Sequence, residues 1–342
     1  MRWLRRLGAL AVLALGATVA GVTGVWLFSN GPTLATFALA SLTGALCCFW
    51  LALWMEHSRK PRVAGAVLLS CSAAWAASRW ARPASAAVEV CVNGDCARPR
   101  VSLGRLVPEL ESMRAGLLLS RGLGITSAAE SGAYREVVAK AYGALGDDWS
   151  YAPNPAFELS LPGRVVYDRV KPEKPSRCVV FLHGFGGLLT AYVEAIANSE
   201  LGKDALVLAP VLDPVGRWDS ERGAEVVRAL VEREPGGCWL VGLSNGAVGG
   251  WRLPARPELK GKIRGAVLLS GLGGPEPGLP AVPTLVISGQ HDARFPFEWI
   301  RDVAASAGLQ AHGLEADHFL ILSAKDEWTR LAAAWLRADH PQ

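Results

Sequence analysis

Ser244 stands in the run Gly242-Leu243-Ser244-Asn245-Gly246, directly after the apolar stretch 238–241. An apolar run that ends in a serine between two glycines reads as a buried strand turning sharply into a helix, with the hydroxyl lifted clear at the apex. A serine hydroxyl is a weak nucleophile until a base takes its proton, and that base must be oriented and stabilised once charged. His318, in Ala316-Asp317-His318, and Asp292, in Ser288-Gly289-Gln290-His291-Asp292, are the residues suited to those two roles. An oxyanion formed on a carbonyl attacked by Ser244 needs donors fixed in advance. The backbone N–H groups of Asn245 and of Phe185, the latter in the glycine-rich run His183-Gly184-Phe185-Gly186-Gly187, can supply them. His183 shapes that loop rather than acting as base, and Gly184, Gly186, Gly187, Gly242 and Gly246 permit its turns and those of the elbow. Asp213, Asp219 and Asp317 are alternative acids. Asp213 is the best of them, since it follows an earlier strand, whereas Asp317 is too near His318 along the chain to orient it.

The elements that must position these groups follow from short, continuously apolar runs at 178–182, 205–208, 239–241, 266–269 and 284–287, with a last strand at 311–315. Helix-length segments separate most of them, at 188–199, 220–233, 247–253, 297–307 and 320–337. Strands apolar on both faces and spaced by helices predict a doubly wound, mostly parallel α/β sheet. In such sheets sites lie beyond the carboxyl ends of the strands, where each candidate above falls. Prolines punctuate two strand-like pieces at 157–160 and 164–170, an expected edge hairpin.

The order Ser, Asp, His, each at the end of its own strand behind a glycine-rich loop, resembles the α/β-hydrolase superfamily over about residues 160–338. The resemblance rests on His183-Gly-Phe-Gly-Gly187, the Gly242 to Gly246 run, Gly289-Gln-His-Asp-Ala-Arg-Phe-Pro296 and Asp317-His-Phe319. It implies acyl-enzyme chemistry on an ester, thioester or amide. The link between 270 and 283 is too short for the lid that many members insert there. Two other readings stay open, an acyltransferase using the same acyl-enzyme and a catalytically silent binding or sensing module.

Composition confines the remaining options. The net charge is +4 over 342 residues with scattered arginines, so a nucleic-acid partner has no electrostatic support. Neither His-x-x-x-His nor clustered cysteine spacing favours a metal, and no cofactor is expected; the substrate is a small molecule or acyl chain. The excess of apolar residues lies at the N-terminus, where no charged residue occurs from Leu7 to Met55. Residues 1–85 are expected to form a membrane region with transmembrane helices at about 7–28, 34–55 and 63–81, the lipid bilayer being their partner. The third run either spans, with Arg79 snorkelling, or lies in the interface. Basic residues flank one side (Arg2, Arg5, Arg6, Arg59, Lys60, Arg62), which predicts a multi-pass protein of the cytoplasmic membrane. Three spans put the catalytic domain, 157–338, on the outer side after a helical extension or linker at 86–156. Of seven cysteines, Cys91 and Cys96 flank a turn-forming Asn-Gly and are a candidate disulfide. Cys178 and Cys238 read as small buried apolar residues. The sequence leaves the oligomeric state open.

Overall fold

A computed structural model describes residues 2–30, 34–54, 60–81, 88–96, 109–122, 124, 127–145, 162–213, 215–273 and 281–339. The expected strand at 157–160 lies outside the described residues. The chain divides into two compact units, Met1–Pro83 with Arg105–Glu136, and Ala84–Gly104 with Val137–Gln342.

The first unit holds α1 (Arg2–Asn30), α2 (Leu34–Trp54), α3 (Lys60–Ala81) and α4 (Glu109–Gly122); α5 (Ala128–Leu145) runs across the division. α2 packs against both α1 and α3. Small residues make these contacts. Ala38, Ser41 and Ala45 are buried along one stripe of α2, and a Cβ on Gly65 would lie 3.2 Å from that of Cys48. The Thr23 and Thr43 hydroxyls pair at 3.2 Å between α1 and α2, and Ser72 Oγ donates to the Ala38 carbonyl at 3.1 Å between α3 and α2. Larger apolar side chains face outward: Leu10, Leu13, Leu15, Val22, Leu27, Val67 and Leu69 are exposed. Among the described residues, no helix is long and apolar enough to cross a membrane. The segments expected to span are helical, but glycine, serine and threonine dilute their apolar content, and α1 and α3 carry arginine or lysine near their ends.

The second unit is built on one sheet. β1 (Glu89–Val92), β2 (Val166–Val170), β3 (Arg177–Leu182), β4 (Ala205–Pro210), β5 (Cys238–Leu243), β6 (Ile263–Leu269), β7 (Thr284–Gly289) and β8 (Ala311–Leu314) lie in the order β1-β2-β4-β3-β5-β6-β7-β8. β2 pairs antiparallel with β1 and β4, and the other pairs are parallel. The central strands are aliphatic on both faces because helices cover both. Val179 to Leu182, Leu240, Val241 and Ala266 to Leu269 are fully buried. The helices are α6 (Thr190–Ala197), α7 (Glu221–Val231), α8 (Asn245–Arg252), α9 (Phe297–Ser306), α10 (Leu320–Ser323) and α11 (Lys325–Asp339). The last two replace the single helix expected at 320–337. This is an α/β-hydrolase-like fold on a mostly parallel eight-stranded sheet.

Two further features of the sheet differ from the sequence reading. The partner of β2 at the edge is β1, from the stretch read as a helical extension; its register runs Val90 to Asp168 and Cys91 to Tyr167. Asn93 (φ 51) and Gly94 (φ 92) close a two-residue turn behind it, both in the left-handed region that such turns require. The Asn93 amide fixes that turn by donating to the Gly163 carbonyl at 2.9 Å and accepting from Val165 N–H at 2.8 Å. A disulfide joins Cys91 and Cys96 around the turn. The second difference is a disulfide between Cys178 and Cys238, which stand side by side on β3 and β5 with Cα atoms 4.6 Å apart. They are buried, as read, but they are also a covalent tie.

Candidate active site

Ser244 forms the turn between β5 and α8 with φ 54 and ψ −113. A non-glycine residue held at positive φ stores about 1–3 kcal/mol of strain, so its surroundings must impose it. Ser244 N–H donates to the Leu269 carbonyl at 2.8 Å, and its own carbonyl accepts from Ala247 N–H at 2.9 Å. A Cβ on Gly242 would collide with the Gly246 carbonyl, and one on Gly246 with that of Leu182. Both glycines are therefore demanded by close backbone approach rather than by their own dihedrals.

Past the end of β7, Asp292 is buried and both of its oxygens are engaged. Oδ1 accepts from the N–H groups of Arg294 and Phe295 at 2.8 and 2.9 Å. Oδ2 meets His318 Nδ1 at 2.8 Å. A carboxylate can only accept, so Nδ1 carries the proton and Nε2 is left as the basic nitrogen. Two phenyl rings frame the imidazole. Phe295 stacks nearly parallel on it at 5.9 Å and 11°, and Phe319 meets it edge-on at 5.4 Å. Among the described residues, no hydrogen bond joins Ser244 Oγ to His318. In ligand-free sites that contact is commonly long and tightens when substrate is bound.

The loop after β3 turns through Gly186 and Gly187, at φ 99 and 98. A Cβ on Gly184 would lie 3.3 Å from that of Ser244, so loop and elbow are in van der Waals reach. His183 holds this loop from below. Its Nε2 accepts from Leu212 N–H at 3.0 Å, its Nδ1 donates to the Gly184 carbonyl at 2.7 Å, and its carbonyl accepts from Trp218 Nε1 at 2.7 Å. Burial pushes the His183 pKa down to about 4, which keeps the ring neutral and able to accept from Leu212. Trp218 packs edge-on against the same ring at 5.0 Å. The Asn245 side chain ties the elbow to the loop after β4 by donating to the Gly216 carbonyl at 2.8 Å. Among the described residues, the N–H groups of Phe185 and Asn245 have no backbone acceptor outside the regular elements.

The alternative acids are otherwise occupied. Asp213 accepts from Val215 N–H within its own turn, at 3.1 Å, and Asp317 from Phe319 N–H at 2.9 Å. Asp219 bridges Arg217 and Arg252, both at 2.8 Å, and its hydrogen bond to Arg217 leads in holding the carboxyl below its usual range. His291 pairs with Glu315 at the surface. Among the described residues, no group of three His, Cys, Asp or Glu side chains could hold a metal ion.

Residues that the sequence reading did not single out also stand here. Ser270, after β6, has φ 48 and is buried beside Ser288, and neither hydroxyl has a hydrogen-bond partner among the described residues. Gly271 must be glycine because a Cβ there would press on the backbone of Ser244. Phe295 is the fourth; it stands inside the run Gly289 to Pro296, three residues after Asp292, but the sequence reading gives it no role of its own.

No family model and no curated protein matches the sequence. Solved structures similar to the chain include an esterase from Thermogutta terrifontis (17% identity, 52% of this chain and 94% of that one, TM-score 0.43). Others are a monoacylglycerol lipase from Paleococcus ferrophilus (17%, 49% and 97%, TM-score 0.42) and a hydrolase from Pseudomonas aeruginosa (18%, 53% and 97%, TM-score 0.42). Likeness at this level adds nothing to the reading of the site, which rests on its own residues.

Proposed function

We propose that this protein is a serine hydrolase that cleaves an ester, thioester or amide through an acyl-enzyme on Ser244. The observation that carries this reading is the Ser244 backbone, a strained non-glycine turn between β5 and α8 that places a hydroxyl at the strand ends. The Asp292–His318 pair supports it. Ser244 Oγ attacks the carbonyl carbon as its proton passes to His318 Nε2, and the oxyanion is received by the N–H groups of Phe185 and Asn245. The bond to the leaving group then breaks as Nε2 returns that proton to the leaving atom. Water repeats the sequence on the acyl-enzyme and frees Ser244. Asp292 holds the imidazole in the required tautomer and stabilises it when charged. A fluorophosphonate reagent should label the protein at Ser244, and Ser244→Ala should abolish labelling and turnover. Full labelling of the Ala variant removes the assignment.

Although no described helix is by itself long and apolar enough to cross a membrane, we propose further that the N-terminal helices together seat the protein in the cytoplasmic membrane with the sheet on its outer side. Small residues inside and large apolar ones outside is the packing expected of helices whose solvent is lipid. Two disulfides in the sheet-bearing unit fit an oxidising compartment. The test is alkylation of denatured protein from intact cells, without reductant. Four protected cysteines, 91, 96, 178 and 238, support the placement; four reactive ones place the sheet in the cytosol.

A further inference from the structure

The sheet-bearing unit keeps its large apolar side chains inside with three exceptions among the described residues, Phe185, Val215 and Trp299, which are 60, 81 and 37% exposed. Chance would scatter them. Instead each follows the carboxyl end of a strand, Phe185 after β3, Val215 after β4 and Trp299 after β7, on the edge of the sheet that carries Ser244.

They do not serve the same part of a substrate. Phe185 belongs to the loop proposed to receive the oxyanion, so it stands beside the carbonyl. Trp299 is connected to the base instead. Its ring packs on that of Phe295 at 5.9 Å, and Phe295 in turn stacks on His318. Imidazole, phenyl and indole thus form one continuous aromatic surface that runs from a buried base to an exposed tryptophan. Holding the imidazole in place asks only for Phe295 and the Asp292 bond. The tryptophan beyond it, left in water at a cost in apolar surface, is unexplained by that role.

The chemistry fixes which part of the substrate meets this surface. His318 Nε2 must hand its proton to the leaving atom as the bond to the acyl carbon breaks, so the leaving group departs next to the imidazole. The surface that continues outward from there is Phe295 and then Trp299. We propose that this pair is a leaving-group subsite, and that the favoured substrates are esters or thioesters whose alcohol or thiol carries an aromatic or similarly broad apolar group. The inference rests on the serine hydrolase reading.

The test holds the acyl group constant and compares 2-phenylethyl butyrate with ethyl butyrate, whose alcohols are close in acidity, so that the difference reports contact rather than reactivity. Wild type should favour the phenylethyl ester by about tenfold or more in kcat/KM, the range an added apolar group earns in a fitted pocket. Trp299→Ala should bring that ratio close to one and Trp299→Phe should restore most of it, while the preference between ethyl acetate and ethyl butyrate stays as in wild type. A second readout needs no turnover: 2-phenylethanol should slow fluorophosphonate labelling of wild type at concentrations where ethanol does not. A ratio near one in wild type, or an unchanged ratio in a folded Trp299→Ala protein, overturns the subsite even though the serine still labels. Absence of both labelling and ester turnover in wild type overturns the hydrolase reading, and the subsite with it.

Discussion

Asp292 divides its work between its two oxygens, one fixed by the N–H groups of Arg294 and Phe295 and the other turned to His318. An amide at this position would present an N–H to Nδ1 and favour the wrong imidazole tautomer. Asp292→Asn should therefore lower kcat by about 10³- to 10⁴-fold. Asp213→Asn and Asp317→Asn, which remove a charge but leave an amide oxygen to accept the same turn N–H groups, should stay within a few-fold of wild type. If Asp213→Asn were the slow variant, the acid would be Asp213. His183 leads to a prediction about stability. Its pKa falls from about 6.5 in the unfolded chain to about 4 when folded, so between those values the unfolded state takes up a proton that the folded state refuses. Stability is complete above pH 6.5 and declines as pH falls toward 4, by about 3 kcal/mol in all. Urea midpoints at pH 7, 5.5 and 4.5 measure it. His183→Gln should have a lower midpoint at pH 7 and lack this residue's share of the decline; an equal slope in both proteins would assign the acid sensitivity elsewhere.

At the scale of elements, the elbow depends on how closely three backbones approach. The α8 start lies so near the ends of β3 and β5 that Gly246 cannot accept a methyl group, because the Leu182 carbonyl is in the way. Gly246→Ala should lose several kcal/mol of stability or fail to fold, whereas a mid-helix Gly→Ala change elsewhere stabilises by about 0.5–1 kcal/mol. β3 and β5 lead into the proposed oxyanion loop and the proposed nucleophile, and the Cys178–Cys238 disulfide ties their starts together across a separation of 60 residues. The loop-closure model gives about 4 kcal/mol for a loop of that length and about 2 for the five-residue separation of Cys91 and Cys96. Replacing both Cys178 and Cys238 by serine should accordingly lower the denaturation midpoint about twice as far as the same change at Cys91 and Cys96. The reverse order would mean that the buried tie is not formed.

On the scale of the whole molecule, the two units follow opposite packing rules. The sheet-bearing unit buries Phe181, Trp218, Trp328 and its aliphatic strands, as a protein folding in water does. Among the described residues, α1 to α3 of the helical unit bury alanine, serine and glycine at their contacts and leave leucines and valines outward. An apolar exterior of this kind calls for something apolar to cover it. The full-length protein should sediment with membranes, remain there through high salt and alkaline carbonate, and come off with detergent. Release by carbonate alone would mean that the helices lie on the bilayer rather than within it.

Strand runs such as 178–182 and 284–287 were legible because a strand covered on both faces is apolar at every position, a property each segment carries by itself. Ser244 and Asp292 could be placed at strand ends for the same reason, since each lies a few residues past such a run; His318 follows the half-buried and less apolar segment 311–314. The four residues of β1 carry no such period, and their partner β2 is distant along the chain, so only the folded sheet pairs them. The Cys178–Cys238 tie was hidden because β4 separates β3 from β5 in sequence, while the sheet makes those two strands neighbours. The neutral state of His183 and the stacking of Phe295 on His318 are likewise products of contact between remote segments. Periodicity is local and chain position preserves it; which strands adjoin, which carboxylate faces which imidazole and which ring stays exposed are decided by tertiary packing alone.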